Sequence, residues 1–427
     1  MKVKVIGAGL AGCEASYQLA KRGVEVELYD IKPTQFTPAH NDTNFCELVC
    51  SNSLKSDTLE FATGLLKAEL REMDSLVLEC ADECKVPAGK TLSVDRKKFS
   101  ELVTKKIRSQ PLITIINKEI TEIPKDCPCI IATGPLTTPK LSEDLQKTLG
   151  NNLYFYDAVA PIISADSIDY SKVFFGNKFD EDGDYINCPM TKDEYFSFYN
   201  ALINAERVDL HSFEDEKVFE GCMAVEVMAK RDEQTLRFGP LKSKGLKCPD
   251  GTTPYACVQL RKENAVGDDY NMVGFQTNLT IPEQKRVFRT INGLERAEFI
   301  RYGVMHRNSF INAPKLLNHY FQLKSLPNIF FAGQISGVEG YVESIASGLL
   351  CGINMVSYLN QKPFVEFGIK TALGGLANYL ECASESNFQP MHINWGLLAP
   401  VDASKQDKKQ IICDRALKEI KRIKEAI

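Results

Sequence analysis

Val3-Lys4-Val5-Ile6-Gly7-Ala8-Gly9-Leu10-Ala11-Gly12-Cys13 is the stretch whose reading decides the fold. Apolar, β-branched residues run straight into a Gly-x-Gly-x-x-Gly turn, the pattern of a strand feeding a helix around a dinucleotide. Gly7 permits the tight turn, Gly9 lets backbone amides approach a diphosphate, and Gly12 lets the helix pack on the sheet. Ala8, Leu10 and Ala11 complete this predicted cofactor seat, and the helix N-terminus faces the anion. The surroundings agree. A helical pattern over 10–22 stops at Gly23, a second strand is predicted over 24–29, and Asp30 closes it where an acid holds the adenosine ribose.

With 427 residues the chain exceeds one simple core, so two domains are expected. A composition 44% hydrophobic and 25% charged is that of a soluble globular protein. No early apolar run is flanked like a signal peptide, and none reaches the ~18 residues of a membrane span, so the expected location is cytoplasmic, without a membrane partner. The 14 cysteines are scattered, and neither Cys80/Cys84 nor Cys127/Cys129 has a partner pair spaced for zinc. Reduced thiols and no metal site are the expectation.

Cys129-Ile130-Ile131-Ala132-Thr133-Gly134-Pro135 reads as a short strand returning to the cofactor sheet. Near the other end, Asn328-Ile329-Phe330-Phe331-Ala332-Gly333-Gln334 is a further strand. It leads through Ile335-Ser336-Gly337-Val338-Glu339-Gly340-Tyr341 into a small-residue helix over 343–355. A glycine-rich loop at a helix start is again a place for a phosphate or flavin edge, which adds Gly333, Gln334, Gly340 and Tyr341 to the predicted cofactor residues. The two ends thus share one nucleotide site. The predicted architecture is α/β: a discontinuous Rossmann-like FAD-binding domain of the two-dinucleotide-binding-domain type, residues 1–150 and 320–427, with an inserted α/β domain over 151–319. FAD suits such a split site better than free NAD.

Between Met228 and Arg307 fourteen Lys and Arg stand against nine Asp and Glu, in a chain whose net charge is −5. A charge run is most often a solvated face. Brought together, Lys230-Arg231, Lys242/Lys244, Arg261-Lys262, Lys285-Arg286 and Arg301 to Arg307 would instead follow a phosphate backbone. After Ser404 eight basic residues meet four acids, and Ile412, Leu417, Ile420, Ile423 and Ile427 recur at helical spacing, predicting an amphipathic terminal helix.

Several motifs resemble one family. They are Glu47-Leu48-Val49-Cys50-Ser51-Asn52-Ser53-Leu54-Lys55, Phe219-Glu220-Gly221-Cys222-Met223, Leu236-Arg237-Phe238-Gly239-Pro240-Leu241-Lys242, Tyr302-Gly303-Val304-Met305-His306-Arg307-Asn308 and Thr371-Ala372-Leu373-Gly374-Gly375. With the opening fingerprint and the Gly333 to Tyr341 loop, they make the chain resemble the folate- and FAD-dependent tRNA (uracil-5-)-methyltransferases, called TrmFO, over nearly its whole length.

The resemblance implies an enzyme that takes a one-carbon unit from 5,10-methylenetetrahydrofolate and reduces it to a methyl on uracil C5. FAD would be the carrier, NADH or NADPH the electron source, and the T-loop uridine (position 54) of tRNA the target. It also implies Cys50 and Cys222 as the catalytic pair. Uracil C5 is a poor nucleophile until a group adds to C6, and a thiolate both adds and leaves well. One cysteine would add while the other assists proton removal; spacing does not say which, and a buried structural cysteine is the bland alternative for each. His306 and Arg307 would contact folate, phosphate or flavin, or orient a loop. Glu343 would cap its helix or face the flavin. Cys46 lies one helical turn before Cys50 and is taken as incidental, and Ala224 stands where the family often has proline. Two other functions remain open: the same chemistry on 23S rRNA, and a non-catalytic RNA-binding flavoprotein. Oligomeric state is not legible.

Overall fold

The computed structural model describes residues 2–37, 39–150, 153–158, 160–178, 183–208, 223–264, 266–404 and 406–427, the side chains of 153–158, 305–307 and 387 excepted. Five parallel strands form the first sheet, in the order Ile329–Phe331, Cys129–Ile131, Lys2–Ile6, Glu25–Asp30, Ile113–Asn117. Ile6 sits opposite Ile131 on one side and Tyr29 on the other, and Ile131 in turn opposite Phe331. The strands Ile329–Phe331 and Cys129–Ile131 are buried at every residue, which is why they read as apolar runs without alternation.

The helix Leu10–Lys21 ends at Arg22, followed by Gly23 at φ +79°. The helix Tyr341–Leu359 lies against it at backbone distance: a Cβ on Gly348 would stand 2.3 Å from the Ala11 carbonyl oxygen, and one on Gly352 2.8 Å from Gln18 Cβ. This helix is longer than the 343–355 predicted. By length and mean composition this helix is apolar enough to cross a membrane, which the sequence reading did not show because Glu, Ser, Gly and Asn interrupt its apolar run. It is mostly buried in the fold, as a core helix is. One hydrophobic core therefore joins residues near Val3 with others near Ile345 and, through the terminal helix Lys408–Ala426, Ile412, Ile420 and Ile423. Of the predicted apolar stripe, Leu417 is only half-buried and Ile427 is exposed.

A second sheet is antiparallel, in the order Phe174–Phe175, Ile186–Met190, Ala256–Lys262, Asp269–Met272, Ile162–Ser164, Phe299–Arg301. It has its own core, in which Phe198, Leu260, Phe275 and Phe288 are fully buried. The chain passes between the two sheets along an antiparallel ribbon, Leu153–Ala158 with Met305–Phe310, pairing Leu153 with Phe310 and Ala158 with Met305.

Two buried ionisable side chains fasten the nucleotide half. Glu69 accepts hydrogen bonds from Ala372 N at 2.6 Å and Leu373 N at 2.8 Å, at the start of the helix Ala372–Cys382. That is the end of a helix where a carboxylate is favoured. Burial nevertheless raises its pKa to about 8. Lys67 donates to the carbonyls of Leu54, Ser56 and Thr63 at 2.6 to 3.1 Å, and burial lowers its pKa to about 8.

Candidate functional site

The glycine turn opens into a cleft of about 1350 Å³, solvent mouth included, lined by residues from both ends of the chain. Gly7, Ala8, Gly9, Leu10, Ala11, Asp30, Gly333, Gln334, Tyr341 and Cys50 all reach it. The three fingerprint glycines behave differently, and the difference is informative. A Cβ on Gly12 would lie 1.7 Å from the Gly7 carbonyl oxygen, and one on Gly7, at φ +103°, 2.5 Å from the Ala132 oxygen. Both are bound by packing. Gly9 has extended backbone, φ −78° and ψ −171°, and a Cβ there would meet nothing within 4 Å. Its side is open space at a helix N-terminus, a seat shaped for an anion to approach the backbone.

Asp30 Oδ2 accepts from Ala8 N at 2.7 Å and Oδ1 from Lys32 N at 2.8 Å. Each carboxylate oxygen keeps a lone pair for a ribose hydroxyl. Gly333 N donates to Ser347 Oγ at 2.7 Å, which fixes the second glycine loop beside the first. The residues present fit an adenine dinucleotide such as FAD.

Cys50 stands on an irregular loop in the wall of the same cleft, half-buried. Tyr341, at the start of its helix, accepts hydrogen bonds through its hydroxyl oxygen from Cys50 N at 2.8 Å and Ser51 N at 3.3 Å. Burial, reinforced by Cys50, pushes the Tyr341 phenol well above its ordinary pKa, so it stays neutral. Two guanidinium groups lie within electrostatic reach of Cys50. Burial opposes the charge of Arg96, but Glu263, paired at 2.8 Å, with Tyr341 and Cys50 behind it, leaves its pKa raised. Arg301 is lowered by burial and by Arg96, with Cys50, Tyr341 and Glu47 acting the other way. Positive charge of this kind favours a thiolate.

The loop is also tied to the antiparallel sheet. Asn52 is fully buried, and its Nδ2 donates to the carbonyls of Val94 at 3.0 Å and Lys262 at 2.8 Å. Its Oδ1 accepts from Arg261 Nε at 3.0 Å, and Arg261 also donates to Ser51 Oγ at 2.5 Å.

A family pattern described as Glucose inhibited division protein A matches residues 2–363. The chain is 54% identical over 424 residues to Methylenetetrahydrofolate--tRNA-(uracil-5-)-methyltransferase TrmFO of Bacillus cytotoxicus, covering 98% of each. It is 53% identical over 428 residues to the protein so named in Acetivibrio thermocellus, covering 100% of this chain and 98% of that one. The chain belongs to the TrmFO family. Among solved structures, Aquifex aeolicus GidA in its form II crystal superposes with a TM-score of 0.73 over 100% of this chain and 73% of that one, at 15% identity, a likeness of fold.

For this TrmFO-family chain, most predicted cofactor residues meet around one cleft. Gly12 instead packs beneath it, and Gly340, at φ +120°, precedes Tyr341 behind the wall. Cys222 lies outside the described residues, as do the side chains of His306 and Arg307. Glu343 does not line the cleft; it stands in the first turn of its own helix, beside the N-terminal Gly340, without a hydrogen bond to that helix's amides among the described residues. It is fully buried, and Oε1 accepts from Ile393 N at 3.0 Å. Cys46 is not a helical turn from Cys50, since the loop is irregular and Cys46 has φ +53°; burial pushes its thiol far up, which suits an inert role. Ala224 is buried at the start of the helix Val225–Ala229.

Among the basic clusters, Arg261 is buried and Arg301 half-buried, both turned toward the Cys50 loop and not toward a phosphate backbone. Arg96, Asn52 and His40 were not anticipated as site residues. Burial and the Lys32 ammonium hold the His40 imidazole in the cleft below its usual value. Asn52 stood in a quoted motif, the one signal available; Arg96 carried none.

Proposed function

We infer that this chain transfers the one-carbon unit of 5,10-methylenetetrahydrofolate to C5 of a uridine in tRNA and reduces it to a methyl group, as an FAD-dependent enzyme. Its relatives' name supports the reaction, and one observation ties it to this chain: Cys50 and the open side of Gly9 face one cleft. The finer reading makes the T-loop uridine the target, NADH or NADPH the reductant and the cytoplasm the location. It also divides the chain into a nucleotide-binding part, 1–150 and 320–427, and a part for RNA and folate, 151–319. The separate cores support that division, except that Phe310, Ile311, Ala313 and Leu317 pack in the nucleotide-binding core. Nothing favours an rRNA target or a non-catalytic role.

The amides after Gly9 and the N-terminus of Leu10–Lys21 hold the pyrophosphate, Asp30 the ribose, and Gly333, Gln334 and Tyr341 the flavin end. Bound FAD supplies the redox chemistry that turns a methylene into a methyl. The protein's part is placement and protons. Either Cys50 or Cys222 adds as thiolate to uracil C6, which makes C5 nucleophilic, and the other assists removal of the C5 proton so that the thiolate can leave. Arg96 and Arg301 favour the thiolate at Cys50, and Tyr341 holds its backbone. The target base must leave its stack, at a cost of a few kcal/mol.

The test is 5-methyluridine formation by the holoprotein with NAD(P)H and methylenetetrahydrofolate on unmodified tRNA and on a 23S rRNA fragment, beside Cys50→Ala and Cys222→Ala. Methylation of tRNA that both substitutions abolish is expected. Flavin reduction without methylation of either RNA would refute the reading.

A further inference from the structure

The chain from Met228 to Lys247 carries six basic residues against two acids, Asp232 and Glu233. Lys230, Lys242, Lys244 and Lys247 are exposed, and among the described residues none of these four is paired with a carboxylate. Lys242 also lies within electrostatic reach of another cation, Lys178. Cations gathered without counter-charges repel one another, and an anionic ligand relieves that repulsion.

In the middle of this stretch Phe238 is 78% exposed. The residues on either side are rigidly seated. Leu236 and Leu241 are fully buried, and Leu241 N donates to the Leu236 carbonyl at 2.9 Å. The Arg237 guanidinium lies 3.6 Å from the centre of the Tyr255 ring and donates to the Tyr255 carbonyl at 3.0 Å. Pro240 is packed so closely on Gly274 that a Cβ there would come within 2.6 Å of it. The loop is therefore pre-organised, and it holds one aromatic ring out in water, one turn from Lys242, whose amide bonds the Gly239 carbonyl at 3.3 Å.

We propose that this loop is an RNA-docking surface on which Phe238 stacks an unpaired base while Lys242, Lys244 and Lys247 contact the flanking phosphates. An aromatic face accepts any base, and lysines at the ring's margin track the backbone, so the surface fits a looped or single-stranded segment better than duplex RNA. A protein partner would more often find an apolar patch at its centre; here a single exposed ring stands in a stretch of chain with six basic residues against two acids. The proposal rests on the reading of this chain as a tRNA-modifying enzyme and names where that RNA is held.

The test uses the FAD-loaded protein and an unmodified tRNA transcript, with binding followed by fluorescence anisotropy between 50 and 200 mM salt. Phe238→Ala is expected to weaken binding roughly 5- to 150-fold, and Phe238→Trp to restore it. Lys242→Ala with Lys244→Ala and Lys247→Ala is expected to lower the slope of log affinity against log salt by about 2. In turnover both variants raise KM for tRNA with kcat and flavin reduction by NAD(P)H unchanged. Wild-type affinity and slope in both variants, beside a wild type that binds tRNA, would overturn the surface alone. Loss confined to the lysine variant would overturn the stacking. A wild type that binds no tRNA would overturn the functional reading and this surface with it.

Discussion

Replacing Gly9 by valine separates holding the cofactor from holding the fold. At Gly9 the backbone is extended and a Cβ meets nothing within 4 Å, so the flavin-free protein has no clash to absorb. Restricting the unfolded chain gains about 0.4 to 1 kcal/mol, and the poorer helix cap offsets a similar amount. The flavin-free protein should therefore melt within about 1 kcal/mol of wild type. The added methyls occupy the space through which a phosphate must approach the amides. Losing one charge-assisted hydrogen bond costs about 1.5 to 3 kcal/mol, an affinity loss of about 10- to 150-fold. Gly12→Ala should do the reverse. Its Cβ would sit 1.7 Å from backbone oxygen, and forcing the turn apart costs about 3 kcal/mol. The assay is FAD titration of stripped protein by flavin fluorescence, with thermal melts of the same flavin-free samples. Gly9→Val protein that binds FAD within about threefold of wild type would refute the placement of the diphosphate.

Burial raises Glu69 to about 8 in the fold, so its stabilising form is the neutral one. Stability from this group is complete below roughly pH 4 and is lost as pH rises through 8, by about 4 to 5 kcal/mol in all. Melts of Glu69→Gln should show a flatter pH dependence over that window; an unchanged slope would contradict the assignment. Asn52→Ala strands Arg261 Nε and the Lys262 carbonyl and should cost about 2 to 4 kcal/mol. Denaturant titration measures this, and peptide mass spectrometry of iodoacetamide-treated protein should show altered alkylation at Cys50. Tyr341→Phe removes the acceptor for Cys50 N and Ser51 N and should lower single-turnover methylation about 3- to 10-fold, with tRNA affinity intact.

The cofactor cleft was legible because the demands made on Gly7, Gly9 and Gly12 are local: a turn, an approach and a packing contact lie within six residues. The pairing of the chain's two ends was legible for a related reason, since short apolar strands before Thr133-Gly134 and Gly333 have little else to do. The Cys50 surroundings were not. Arg261 lies more than two hundred residues from Asn52, and nothing in a basic dipeptide says that the arginine turns inward while its neighbour does not. The same is true of Arg301. Glu343 sat where a helix-capping acid is expected, but its carboxylate is taken by a loop amide from Ile393. Charge read along a sequence gives composition, whereas its direction is set by the sheet register.

The strand Ile329–Phe331 completes the parallel sheet beside Cys129–Ile131. During synthesis roughly 200 residues separate the two, about 10 to 40 s at cellular rates of elongation. Throughout that interval an apolar strand edge stands uncovered, and the helix Leu10–Lys21 lacks the partner that will later cover its small-residue face. The antiparallel sheet and its core emerge entirely within the same interval and can settle first. A nascent chain of this design is thus most vulnerable to association just before its last hundred residues leave the ribosome.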